Sequence, residues 1–263
     1  MIHNDLEEFW MEFLGSSFAS DGGGPERIFR GVTDKDHELV PSIGRGTEAG
    51  TEGDISTLER DLMEEFKRLS VPELTTPPTS EFEWLFLAQH YGLPTRLLDW
   101  SSNPLVALFF AVERKDEVDG AVYMVRHAVS DQYELFDHHT ADYTKETKKE
   151  PFSIFAIQPS QGTVVFVRPK YIDKRYQNQK SIFSCHEDPF KVLEIDGLTK
   201  LEFSGHLKPD LRSRLRTLGI AASFIYPGLG GAVSEAKCFH YDPVTLGRTK
   251  IVTARLDLKL YGY

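Results

Sequence analysis

Apolar residues first recur at helical spacing at Leu6, Phe9, Trp10, Phe13 and Leu14, which predicts a short amphipathic helix over residues 2–14. "SDGGGP" follows as a joint. "RIFRGVTDKDHELVPSIGR" then reads as a strand that stops abruptly at Gly31, with Arg30 set between Phe29 and Gly31. Leu58, Leu62, Phe66 and Leu69 mark one face of a helix in "ISTLERDLMEEFKRLS", broken by "TTPPTS". Ser80 caps "EFEWLFLAQHYG", with Glu83 placed to complete a capping box, and Gly92 and Pro94 stop that helix. "PLVALFFAVERK" is apolar on all sides, with Pro104 at the first helical position.

Beyond it, "GAVYMVRH", "GTVVFVRP" and "SIFSCHED" read as strands. The polar stretch from Ser130 to Gln158 is expected to be irregular or partly helical. "LKPDLRSRLRTLGI" is a helix ending at Gly219, "ASFIYPGL" a strand or turn, and residues 248–262 a terminal strand. Helices and strands mix without strict alternation. The expected fold class is therefore α+β, with small mixed or antiparallel sheets flanked by helices. Across the 263 residues there is no repeat and no linker, and a single domain is expected.

The net charge of −10 argues against coating nucleic acid by bulk electrostatics, but not against a local basic groove. Arg168 to Lys180 holds five cations against Asp173, and Arg212, Arg214 and Arg216 form a second cluster. The longest apolar run, residues 104–112, is too short to span a bilayer, so no membrane partner is expected. Two cysteines make no disulfide framework, and the acidic N-terminus does not read as a secretory signal. A reduced, cytoplasmic protein is the expectation.

Several motifs fail. "PGLGGAVSEA" offers Gly228 and Gly230, but the third Gly of a dinucleotide fingerprint falls on Val233, and a plain turn is expected. Cys185, His186, Cys238 and His240 cluster only loosely. Adjacent strand residues point to opposite faces, so no metal site is expected.

The informative stretch is "QHYGLPTRLLDWSSNPLVALFFAV", residues 89–112. Gln89, His90, Tyr91, Thr95, Arg96, Asp99, Trp100, Ser101 and Asn103 crowd between two apolar helices, as a rigid polar site does. The structural alternative is a buried network: Arg96 paired to Asp99, Trp100 in the core, Asn103 capping the next helix.

Together with "FRG" at 29–31, "LVPSIGR" at 39–45 and "RYQNQKSIF" at 175–183, this stretch resembles the FRG domain family over about residues 25–230. More distantly, the layout is similar to the ADP-ribosyltransferase fold. In those enzymes an Arg or His on a first strand grips NAD, a second element leads into an apolar helix, and a third strand opens with a Gln-x-Glu. The resemblance aligns Arg30-Gly31 with the first, Thr95 to Ser102 running into Ala107–Ala111 with the second, and Gln177-Asn178-Gln179 with the third. Gln179 stands where an acid is usual; either an acid comes from elsewhere, Glu187 or Glu235, or the chemistry does without it.

The resemblance implies an enzyme that moves ADP-ribose from NAD to a macromolecular acceptor, passing through an oxocarbenium-like state. It implies catalytic roles for Arg30, His90, Tyr91 and Gln179, and NAD binding by Arg30, Gly31, Thr95, Arg96, Asp99, Trp100 and Asn103. Arg30 suits the diphosphate, Gly31 a close approach of the cofactor, Tyr91 or Trp100 a stacked ring, and His90 the acceptor's proton. The basic stretch 168–180, with Tyr171 and Tyr176, favours a nucleic-acid acceptor. A bacterial toxin or anti-phage effector with a neutralising antitoxin partner is the biological setting implied. A non-catalytic nucleotide or nucleic-acid binding module is the alternative, and a hydrolase built on the 89–103 loop a third.

Overall fold

The computed structural model describes residues 2–18, 27–45, 52–78, 81–126, 133–137, 164–169, 174–186 and 188–240. Two compact units are distinguished, Met1–Ile220 and Ala221–Tyr263. The fold is mixed α and β. Within the first unit the described strands are β1 (Ile2–His3), β2 (Arg27–Val32), β3 (Leu98–Ser101), β4 (Gly120–Arg126), β5 (Tyr133–Asp137), β6 (Val164–Arg168), β7 (Ser181–His186) and β8 (Leu198–Phe203). Its described helices are α1 (Leu6–Phe18), α2 (Glu52–Ser70), α3 (Glu81–His90), α4 (Pro104–Val112), α5 (Lys174–Gln179) and α6 (Lys208–Thr217). The second unit holds α7 (Ala222–Ile225) and α8 (Leu229–His240).

The strands form one sheet, in the order β1-β8-β4-β2-β3-β7-β6-β5, where several small sheets were expected. The short strand β3 joins the two halves. Its residues Leu98 to Ser101 pair with Ser181 to Ser184 of β7, and its Ser101 pairs with Phe29 of β2. The pairings are antiparallel except at the two outer positions, β1 with β8 and β5 with β6. Tyr133–Asp137 is thus a strand where an irregular or partly helical segment was expected.

Alternation along the strands fills both faces. Ile28, Val32, Leu98, Trp100, Tyr123 and Phe166 lie in one core cluster. Met63, Phe86, Leu97, Val165, Phe183 and Cys185 lie in another, beneath α2 and α3. Of the predicted face of α2, Phe66 packs against this cluster, but the first part of the face is displaced by one residue. Met63 and Glu59 are buried, whereas Leu58 and Leu69 are exposed. Glu59 turns inward because it has a partner there, Arg96.

Helix α4 begins where Asn103 Oδ1 accepts from the Leu105 amide at 2.9 Å, ahead of Pro104. It lies directly on β2 at Gly31. A Cβ on Gly31 would stand 1.8 Å from the Ala107 carbonyl oxygen, so only glycine permits this approach. Lys208 on α6 is buried and donates to the carbonyls of Thr33, Arg114 and Lys115, which ties down the turn after α4. The Arg212–Arg216 cluster is partly committed to structure: Arg212 binds Asp116 through both nitrogens, and Arg214 pairs with Glu7 over the Trp10 ring.

In the second unit, Leu229–His240 is a helix, not the expected turn. Helix α7, not a strand, precedes it, so the strand–turn–helix context of a dinucleotide fingerprint is missing there. Ser80, Tyr171, Glu187 and residues 248–262 lie outside the described residues. Among the described residues no helix is long and apolar enough to cross a membrane.

Candidate functional site

β2 and β3 are registered at a single pair, Phe29 with Ser101. Beyond it the ladder between them gives out, in the middle of the sheet, and a cavity of about 400 Å³ sits against these two strands. That volume lies in the range of small-molecule sites. β2 contributes Phe29 to Val32, and β3 contributes Asp99 to Ser101. The end of α3 contributes Gln89 and His90, α4 contributes Ala107 and Phe110, and α5 contributes Arg175, Tyr176 and Gln179.

Arg30 takes over where the ladder stops. Its Nη1 donates to the Asp99 carbonyl oxygen at 2.5 Å, and the Asp99 carboxylate stands 3.9 Å away. Its side chain is only 15 % exposed, and its buried Nε has no partner. Burial pulls the guanidinium below the ordinary arginine range; Asp99 opposes that, and the nearby charge of Arg45 adds to it. An arginine with an unused, buried donor at the edge of a cavity is equipped to bind a ligand oxygen.

Asp99 is the exposed member of β3, with its side chain 65 % accessible. Gln89 Nε2 donates to its Oδ1 at 2.7 Å, and Thr95 Oγ1 donates to Gln89 Oε1 at 2.5 Å. The carboxylate is held by this relay but remains open to the cleft. On the far wall, Ser101 Oγ donates to the Gln179 carbonyl oxygen at 2.6 Å, which fixes the end of α5 against β3. Tyr176 is a buried wall: its hydroxyl donates to the Phe86 carbonyl oxygen, and its ring lies 5.0 Å from that of His90. It is therefore no free platform for a nucleobase.

Of the residues the sequence singled out, Arg30, His90, Asp99 and Gln179 line this one cleft. Gly31 lines it too, but the room left by its missing side chain is filled by α4. Trp100 lines the cleft from β3 while its indole is buried, donating to Ser184 Oγ at 2.7 Å, so it offers no ring for stacking. The remaining predicted residues do not line it. Tyr91 is 73 % exposed beyond the end of α3. Thr95 is buried and holds Ser42 and Gln89. Asn103 caps α4. Arg96 is buried and bound to Glu59, not to Asp99, with Nε to Oε2 at 2.6 Å and its amide to Oε1 at 3.1 Å. Burial would lower the Arg96 guanidinium, but Glu59 and Cys185 hold it raised. Burial pushes the Cys185 thiol up to about 11, so at neutral pH it is an inert neutral group.

Sequence reasoning missed much of the cationic lining. Arg45, Arg114 and Arg175 join Arg30, so four arginines face two acids, Asp99 and Glu113, in a chain of net charge −10. His37 also lines the cleft, with Nε2 2.6 Å from Arg45 Nη1. Arg45 and Arg175 were visible in "LVPSIGR" and in the basic stretch. Nothing local signals that they converge on Arg30.

Residues 25–120 match the family model described as the FRG domain. That segment carries β2, α2, α3, β3 and α4, hence Arg30, His37, Arg45, Gln89 and Asp99; Arg175 and Gln179 lie beyond it. Neither a curated protein nor a solved structure matches the chain.

Proposed function

We propose, with the FRG domain over residues 25–120 as the premise, that this cleft binds NAD and transfers its ADP-ribose to a macromolecular acceptor. The observation that carries the reading is convergence. Arg30, Gln89, His90, Asp99 and Gln179, more than a hundred residues apart at the extremes, line one cavity. Its excess of arginine suits a diphosphate.

The reaction breaks the bond between the nicotinamide nitrogen and the ribose carbon. The electron pair leaves with nicotinamide, which departs neutral and needs no general acid. The ribose carbon passes through a cationic state, which a nearby carboxylate stabilises. Gln179 lacks that charge; Asp99, held open to the cleft by Gln89, supplies it. Arg30 grips the diphosphate through its fork and buried Nε. The acceptor then attacks the ribose carbon, and its proton passes to His90. Nucleic acid is the acceptor class that the nearby cations Arg168, Lys174, Arg175 and Lys180 favour.

Incubating the 263-residue chain with NAD and following nicotinamide release tests this reading. Turnover is expected, with Arg30→Ala abolishing it while circular dichroism stays native. An NAD-consuming effector also slows growth on expression, and Arg30→Ala relieves it. Tight ADP-ribose binding without turnover, with any acceptor class, would instead establish a non-catalytic nucleotide module. That second reading is favoured by the amide at Gln179.

A further inference from the structure

His37 belongs to the loop after β2 and lies between two cavities. One is the cleft; the other is lined by Lys35, Glu38, Tyr123 and Lys200. Its Nε2 faces Arg45 Nη1 at 2.6 Å. An arginine has only donors, so Nε2 must accept, and the imidazole is neutral with its proton on Nδ1. The groups around it come from every neighbouring element: Arg45 after the 3₁₀ turn Ser42–Gly44, Arg30 on β2, Asp34 on its own loop, and Lys115 after α4. Tyr123 on β4 donates to its carbonyl oxygen at 3.5 Å. Three of those charges are positive and one is negative. A neutral histidine among three cations, close to Arg30 with its unpartnered buried Nε, is a surrounding that attracts an anion.

We propose that Arg30, Arg45 and His37 form the diphosphate seat of the cleft, and that His37 takes up a proton when the anion arrives. The inference deepens the nucleotide reading and rests on it only for the identity of the anion. The balance is simple. An incoming phosphate oxygen accepts the Arg45 N–H that now points at Nε2. Nε2 is freed and binds one proton from solvent, and the imidazolium donates it to the anion. In the free protein, burial and the charges of Arg45 and Arg30 hold His37 below its ordinary value, against Asp34. Negative charge in the seat cancels the two arginines and raises it. Affinity therefore rises as pH falls through the window between the free and the bound His37 values, by at most one proton. Below the free value it levels off.

Two probes serve, ADP-ribose and sulfate, since neither titrates near neutral pH and any proton taken up comes to the protein. The His37 ring resonance is identified by its absence in His37→Gln, whose amide oxygen still accepts from Arg45. Its midpoint is expected to lie below that of an ordinary histidine, and to rise by about one unit or more with ADP-ribose bound. ADP-ribose affinity should increase as pH falls from about 8, by at most about tenfold for each unit of that rise, with proton uptake seen calorimetrically in buffers of different ionisation enthalpy. His37→Gln should bind with a flat pH profile. If neither probe moves the His37 midpoint, or His37→Gln keeps the uptake, the seat is wrong. Sulfate moving His37 while ADP-ribose does not bind would keep the seat and sink the nucleotide reading. Nicotinamide release from NAD with His37 unmoved would do the reverse.

Discussion

Arg30 on β2 and Arg96, two residues before the neighbouring strand β3, both lie in the matched segment, and the protein uses them in opposite ways. Arg96 is 2 % exposed and saturated: Glu59 takes both its Nε and its backbone amide, and Cys185 packs beside it. Arg30 is nearly as enclosed but incomplete. One nitrogen reaches the Asp99 carbonyl, its carboxylate partner is 3.9 Å off, and Nε has nothing. A buried fork whose hydrogen bonds all close within the protein is structure, because nothing is left for a ligand to take. A buried fork with a donor left over, at the rim of a cavity, keeps that capacity for something that arrives later.

The contrast breaks first at Glu59. Glu59→Ala leaves Arg96 as an uncompensated buried charge, and unfolding in urea should show a loss of about 3–5 kcal/mol. Replacing both partners, Glu59→Leu with Arg96→Met, should recover most of it, since apolar groups of similar shape need no counter-charge. Failure of the double variant to recover stability would mean that the pair specifies the fold beyond its own charges. Next in size is Gly31→Ala, where the added methyl meets the α4 backbone at Ala107 and Ala111. A cost of about 1–3 kcal/mol is expected, because neither backbone has room to give. A stable Gly31→Ala that merely loses ADP-ribose affinity would restore Gly31 to the role of admitting the cofactor.

The same contrast explains what the sequence showed and what it hid. Local signals were sound where they were local: the apolar helix after Pro104, the strand around Arg30, the Asn103 cap. The alignment of three motifs foresaw that Arg30 and Gln179 would meet. The inward turn of Glu59 was invisible, because a charged residue on a helix reads as solvent-facing until its partner, thirty-seven residues on, is known. That is why the first part of the buried face of α2 was read one residue off. His37 and Arg45 hid for the same reason. The short strand β3, read only as part of a polar loop, is what fuses the sheet and opens the cleft beside it.

Asn103→Ala removes the cap of α4 and should cost about 1 kcal/mol, measured again in urea. Its ADP-ribose affinity should not change, because Asn103 does not line the cleft. A binding defect without a stability defect would return it to the cofactor residues that the family resemblance implied.

The smallest effect on stability belongs to Arg30→Ala, and it is the most telling. The side chain makes one hydrogen bond, to a carbonyl at the open end of a ladder, and its removal also relieves crowding with Arg45 and Arg114 around the cleft. The unfolding free energy should stay within about 0.5 kcal/mol of the parent, because the lost hydrogen bond is offset by relief of a partly unpaired buried charge. ADP-ribose affinity should fall at least about tenfold, the loss expected when a charge-assisted hydrogen bond to the ligand disappears. Arg30→Lys should restore the charge but not the paired geometry, and recover only part of the affinity. If Arg30→Ala unfolds as readily as Glu59→Ala, its buried Nε has an unseen structural duty, and the two arginines are of one kind after all.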